Sequence, residues 1–335
     1  MSEITKPNYE QLIANIGTIL AEGQNRVATA INNALVQTYW TIGQHIVEYE
    51  QQGNERAEYG SKLLDRLSHD LSERYGKGFS RSNVVYIRKF YLSFPKGETV
   101  SHLLSWSHYV EILKGDDPLE ISFYATQCVK ENWSVRELRR QRNSMLFHRL
   151  ALSKDREGII ALATEGQEVQ RAEDVVKDPY VLEFLNLPQQ GRYLEGDLER
   201  EIISNLQTFL LELGKGFAFI GRQYKVTLGG RHFFVDLVFY HRILKCFVLI
   251  DLKRGEIDHG DIGQMNLYLN YFAEEENTEG DNPPIGIVLG AYKDEVLVKY
   301  ATTGLANQLF VSKYQLYLPD EKALRHEVQR ILEQE

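Results

Sequence analysis

Four runs rich in β-branched and aromatic residues, at 217–220, 224–228, 232–240 and 246–252, follow one another with only a few residues between them. Such short breaks leave no room for the crossover of a dozen or more residues that parallel neighbours need, so the runs predict antiparallel strands joined by hairpins. Gly229-Gly230 supplies a tight turn for one of them. A helix over 197–213 precedes the runs and another over 261–272 follows. A buried strand at 285–289, a strand near 309–317 and a polar helix close the chain. The order α-β-β-β-α-β, with later elements appended, predicts an α/β domain over 191–335.

The first part of the chain has a different period. Val27, Ile31, Leu35, Tyr39, Ile42 and Ile46 recur every three or four positions within 9–49, which predicts a long amphipathic helix. Leu63, Leu64, Leu67 and Leu71 mark a second helix that runs into Gly76-Lys77-Gly78. Ser80 or Ser82 caps a third, with Val84, Ile87, Tyr91 and Phe94 on one face, Arg81, Asn83, Arg88 and Lys89 largely outside it, and Pro95 as its stop. Three such helices with a glycine turn describe a helix-turn-helix and equally a protein-binding bundle. Ser134 to Glu137 form a capping box for a further helix, which carries Arg136, Arg139, Arg140, Arg142 and Arg149. The fold class expected is therefore α+β overall: an all-α domain over 1–160, a polar connecting segment over 161–190, and the α/β domain. If the helical domain meets a duplex, Arg81, Arg88, Lys89, Arg139, Arg140 and Arg142 are the candidate contacts; a solvated face paired with Glu137 is the alternative.

Composition excludes several classes. With 43% hydrophobic and 25% charged residues, the 335-residue chain reads as soluble and globular, and its apolar runs fall far short of the ~20 residues of a membrane helix. No secretory leader follows Met1, so the cytoplasm is the expected location. The two cysteines, Cys128 and Cys246, lack zinc or disulfide spacing, and His108, His232, His241 and His259 lack paired metal spacing. Neither glycine-lysine segment fits a phosphate loop. A net charge of −9 is unevenly spread: residues 51–150 hold 16 Lys/Arg against 12 Asp/Glu.

The chemistry concentrates at one strand end. In the run 247–253 an apolar strand ends in Asp251 and Lys253, two residues apart and so on one face. Asp236 is the single carboxylate in the preceding apolar strand, and a hairpin brings it beside Asp251. Two carboxylates with an ammonium beside them suit phosphodiester hydrolysis, with Mg²⁺ (or Mn²⁺) on the carboxylates and the lysine orienting or activating water. On the helix before the sheet, Glu199 lies at the edge of the apolar face of Leu198, Ile202, Leu206, Phe209 and Leu213, as a further metal candidate. Glu201, Asn205, Thr208 and Glu212 align on the side read as wet. Gln264 shares a stripe with Leu267, Tyr268 and Tyr271, which holds its amide against the sheet, where it can reach a phosphate or a lysine as a further catalytic candidate.

With these residues in place, the chain resembles the bacterial YhcG-like nucleases of the PD-(D/E)XK superfamily. The resemblance rests on Leu198-Glu199, the segments 213–223, 235–241, 250–253 and 263–269, and, in the helical domain, 39–43, 76–80 and 104–109. It implies a restriction-endonuclease-like core, a divalent metal and a nucleic acid substrate, with a glutamine often found where Gln264 stands. Two positions depart from the pattern: Val235 stands where proline is usual, and Asp251 where this group usually has glutamate. The expected activity is an endonuclease acting on DNA, in restriction, repair or recombination. The alternative is a catalytically silent nucleic-acid-binding protein or scaffold, a homo-oligomer through its helical domain.

Overall fold

The computed structural model describes residues 6–52, 57–97, 103–188 and 193–333. The chain forms two compact units, Met1–Val135 and Arg136–Glu335. No described helix is long and apolar enough to cross a membrane.

The first unit is helical: α1 (Lys6–Gln52), α2 (Ala57–Tyr75), α3 (Arg81–Ser93), α4 (Trp106–Ile112) and α5 (Pro118–Glu131). Ser80 caps α3 by accepting the Asn83 N–H. Tyr39 and Ile46 of α1, Leu64 of α2, and Val84 and Ile87 of α3 form one buried cluster. The crossing of α1 on α3 is close: a Cβ at Gly43 would lie 2.4 Å from the Ile87 carbonyl oxygen, so only glycine fits. The cations expected on an open face are each paired inside this unit. Arg81 meets Asp65, Arg88 meets Glu50 at 2.7 Å, and Lys89 meets Asp116 at 2.7 Å. Trp133 is buried, whereas Trp40 and Trp106 are half-buried and donate to the Phe94 carbonyl and Asn83 Oδ1.

The second unit continues with α6 (Val135–Asn143), α7 (Leu146–Ala151), α8 (Arg156–Glu165), β1 (Tyr180–Val181), α9 (Glu195–Ser204), α10 (Leu206–Leu213), β2 (Phe217–Leu228), β3 (Arg231–His241), β4 (Cys246–Glu256), α11 (His259–Tyr271), β5 (Ile285–Tyr292), α12 (Glu295–Thr302), β6 (Gln308–Gln315) and α13 (Glu321–Glu333). The strands make one mixed sheet in the order β1-β6-β5-β4-β3-β2. The pairs β2–β3 and β3–β4 are antiparallel; β4–β5, β5–β6 and β6–β1 are parallel. Gly229 and Gly230, both with positive φ, turn the first hairpin. Side chains alternate across the sheet: Val248, Ile250 and Leu252 of β4 join Leu198, Ile202 and Phe209 on one face, while Leu249 joins Ile262, Met265 and Leu269 on the other.

Two stretches differ from the sequence reading. Residues 161–190, read there as a connecting segment, contain β1, which pairs with β6 and extends the sheet. The helix expected over 197–213 breaks at Asn205, where φ is −115° and ψ 28°. The break resets the helical phase, so Glu212, read as facing water, is fully buried. Its carboxylate takes Arg149 and Arg140, each at 2.7 Å, and the Val181 N–H at 3.0 Å, while Lys177 donates to its carbonyl. Burial opposes that charge, but the three cations outweigh it and hold the Glu212 carboxyl well below its usual range. Arg140, expected as a nucleic-acid contact, is therefore placed inside the protein and paired with Glu212 and Glu183. Its neighbour Arg139 is exposed, and Arg142 is half-buried with a hydrogen bond to Asn143.

Candidate active site

The backbone ladder between β3 and β4 ends at the pair Leu237–Ile250. One residue further on, the side chain of Asp236 takes over: its Oδ2 accepts the Leu252 backbone N–H at 2.8 Å. The carboxylate is thus locked against the strand that carries Asp251 and Lys253. Asp251 is 3% exposed, and its Oδ2 stands 2.9 Å from Lys253 Nζ. Apart from that ion pair, this buried oxygen has no hydrogen-bond partner. Lys253 also approaches Oδ1 of Asp261, at the start of α11, at 3.4 Å.

The electrostatics follow from burial and crowding. Burial raises the Asp236 carboxyl, partly offset by the Leu252 N–H and Lys253. Asp251 is pushed up to about 7, first by burial and then by the charge of Asp236, against the pull of Lys253. Burial disfavours the Lys253 ammonium, but Asp251 and Asp261 more than compensate, so the lysine stays protonated. An acid raised by burial and by a second acid beside it marks a site short of positive charge.

Glu199 reaches the pair through Gln223, a residue the sequence reading passed over. Gln223 lies in β2 between the pairs Arg222–Leu237 and Tyr224–Val235, and so opposite Asp236. Its side-chain amide donates to Glu199 Oε2 at 2.7 Å and to Asp236 Oδ1 at 3.0 Å. It does so from a left-handed backbone, φ +47°, beside a register shift between Phe219 and Gly221. Such a conformation is costly for a residue with a Cβ and marks a position under a specific constraint. The one signal in the sequence was the gap between the runs 217–220 and 224–228, where the structure has a single bulged strand. Glu199 is buried and also faces Arg222 at 3.8 Å. Gln264, expected at a phosphate or lysine, instead hydrogen-bonds the Tyr268 hydroxyl, which donates to the Phe234 carbonyl at 3.0 Å and steadies β3 just before Asp236.

The carboxylate oxygens of Asp236 and Asp251 are the donor type a hard divalent cation takes. Among the described residues, no three of His, Cys, Asp and Glu surround one point. Mg²⁺ is commonly held by one or two carboxylates and keeps several waters, so Asp236 and Asp251 suffice, and the buried Asp251 oxygen suits that role.

Residues 173–329 match the YhcG PDDEXK nuclease domain, and residues 15–149 match the DUF1016 N-terminal domain. The chain is 37% identical to the Escherichia coli (strain K12) protein described as "Putative nuclease YhcG", over 98% of this chain and 96% of that protein. Among solved structures, a repair endonuclease from Pyrococcus abyssi aligns at 22% identity and a TM-score of 0.28, over 39% of this chain and half of its own. The EndoMS–double-stranded DNA complex aligns at 17% and 0.27, over 40% of this chain and half of its own. Likenesses this slight carry no weight for the site.

Proposed function

The chain belongs to the YhcG family of PDDEXK nuclease-domain proteins, and on that premise we propose that its second unit is a divalent-metal-dependent endonuclease that hydrolyses DNA phosphodiester bonds. The observation that carries the reading is the convergence of Asp236, Asp251 and Lys253 where the β3–β4 ladder stops, a buried and a half-buried carboxylate with a charged lysine 2.9 Å from the buried one. Two acids crowded beside one lysine are expensive, and a fold retains them where the charge is used.

Asp236 and Asp251 would hold the ion, which when bound polarises the phosphate and offsets its charge. The rest of the work falls to the chain. Lys253 stays protonated beside Asp251, so it can donate to a phosphate oxygen and fix the position of the attacking water. The Leu252 N–H prevents Asp236 from swinging away, and the Gln223 amide sets the spacing between Asp236 and Glu199.

The test is incubation of the purified protein with linear, supercoiled, branched and single-stranded DNA in Mg²⁺, Mn²⁺ or EDTA, beside Asp251→Asn. Metal-dependent cleavage by the native protein, absent in the variant, is the expected result. Cleavage that persists in EDTA, or none on any substrate, overturns the reading.

A further inference from the structure

Helix α1 runs for 47 residues, but only its second half packs on the first unit, through residues such as Val36, Tyr39, Ile46 and Val47. The first half is amphipathic, and no described residue covers its apolar face. Tyr9, Ile13, Ile16, Leu20, Val27 and Ile31 lie along one side and are 43 to 64% exposed. The opposite side carries Gln11, Asn15, Thr18, Glu22 and Asn25. The apolar side is turned away from the face that α3 covers further along, so it is no continuation of the internal core.

Gly23 lies on this stripe, and Gly17 one turn and a half before it; a Cβ at either would meet nothing within 4 Å. Glycine inside a helix is about 1 kcal/mol worse than alanine, and Gly43 in the same helix has the reason these two lack.

We infer that the first half of α1 pairs antiparallel with the same segment of a second copy, about a two-fold axis between residues 21 and 22. The apolar residues at 9, 13, 16, 20, 23, 27, 30 and 34 step by four and three, the spacing of a helix–helix seam. Antiparallel pairing sets a large side chain of one copy against a small one of the other in nearly every layer: Tyr9 on Ala34, Ile13 on Ala30, Ile16 on Val27, Leu20 on Gly23. A two-fold axis requires this reciprocity, because a residue that contacts a second must be contacted by its copy. At Leu20 the partner helix needs a position without a Cβ, which accounts for Gly23. Leu12 falls opposite Ile31 on the flank. The three charges of the segment, Glu10, Glu22 and Arg26, fall opposite Asn33, Ala21 and Gly17, so no like charges meet.

The size also fits. Half-exposed side chains of this kind leave roughly 400 Å² of apolar surface on each copy. At the apolar share usual in homodimers this corresponds to about 600 Å² per copy, the lower end for stable specific interfaces. A lipid surface is a poorer occupant, since helices that lie on membranes carry a lysine- and arginine-rich polar face and this one is built of Gln, Asn and Thr.

Sedimentation velocity on the full chain across a micromolar dilution series tests the pairing. The native protein should dimerise reversibly, and Ile13→Lys with Leu20→Lys should sediment as a monomer with unchanged far-ultraviolet dichroism. Gly23→Ala should weaken dimerisation by roughly tenfold or more although alanine favours the isolated helix, a sign that an unpaired helix would reverse. Oxidation of the Leu20→Cys, Gly23→Cys double variant should yield a linked dimer and Leu20→Cys alone should not; the native cysteines are buried. Linking by Leu20→Cys alone overturns the antiparallel register. A native chain that stays monomeric throughout, whether or not it then binds anionic vesicles or captures another protein, overturns the proposal.

Discussion

The Asp236 carboxylate accepts the Leu252 backbone N–H at 2.8 Å, so a side chain of β3 occupies a place that a backbone acceptor would hold in a regular ladder. The bond orients Asp236 toward the next strand before any ion arrives, and it leaves the other oxygen to Gln223.

Ligands and lysine should separate by experiment. Asp251→Asn removes a full negative charge at nearly constant size, so Mn²⁺ affinity and cleavage should both fall, each by roughly tenfold or more. Lys253→Ala should abolish cleavage while Mn²⁺ affinity stays equal or tightens, because a cation 2.9 Å from Asp251 is lost. Calorimetric titration beside a cleavage assay checks both. Native-like metal binding and cutting by Asp251→Asn would reduce the pair to a structural ion pair.

Gln223→Gly keeps the left-handed backbone and deletes the amide, so the melting temperature should hold while cleavage drops by roughly tenfold or more. Gln223→Ala deletes the amide but keeps the left-handed strain that Gln223 already carries, so it should be about 1 kcal/mol less stable than Gln223→Gly. Gln223→Glu places a third carboxylate between Glu199 and Asp236; it should melt lower than the native protein without metal and gain more from added Mn²⁺. Equal metal-induced shifts for both proteins would remove Gln223 from the site.

Glu212→Ala strips the buried Arg149 of its carboxylate, leaves Arg140 with Glu183 and keeps the Lys177 bond to the backbone carbonyl of residue 212. Urea unfolding should show a loss of about 3 to 5 kcal/mol, the usual cost of stripping a buried charge of its partner. Because the folded Glu212 carboxyl titrates well below the usual range, its contribution is complete above about pH 4.5 and disappears as the pH falls further.

His148 is 1% exposed, with its Nδ1 unpartnered and its pKa lowered to about 4, by burial first and then by Arg325. The unfolded chain takes up this proton near pH 6.5 and the folded one does not, so stability should decline by about 3 kcal/mol between pH 6.5 and 4. His148→Phe should flatten that part of the curve in chemical denaturation. Parallel curves for the two proteins would contradict the assignment.

The strands from β2 to β6, their order with the helices and the Asp236–Asp251–Lys253 cluster were legible because period and charge placement are local properties of the chain; the two-residue β1 was not. Glu199 was found through its phase on α9. Gln223 was not, since its role depends on a bulge that turns one side chain between two acids 13 and 24 residues away. Arg140 and Arg149 read as surface charges for the same reason: their partner, Glu212, lies more than 60 residues on and behind a helix break.

The β1 strand and the Glu212 network also define what can be moved as a unit. A segment starting at residue 191 would uncover the β6 edge and strand an acid in an apolar interior. Recombination, natural or engineered, that exchanges nuclease domains among relatives must therefore join the sequences ahead of Arg140, with Arg140, Arg149, Lys177 and Glu212 inherited from one parent.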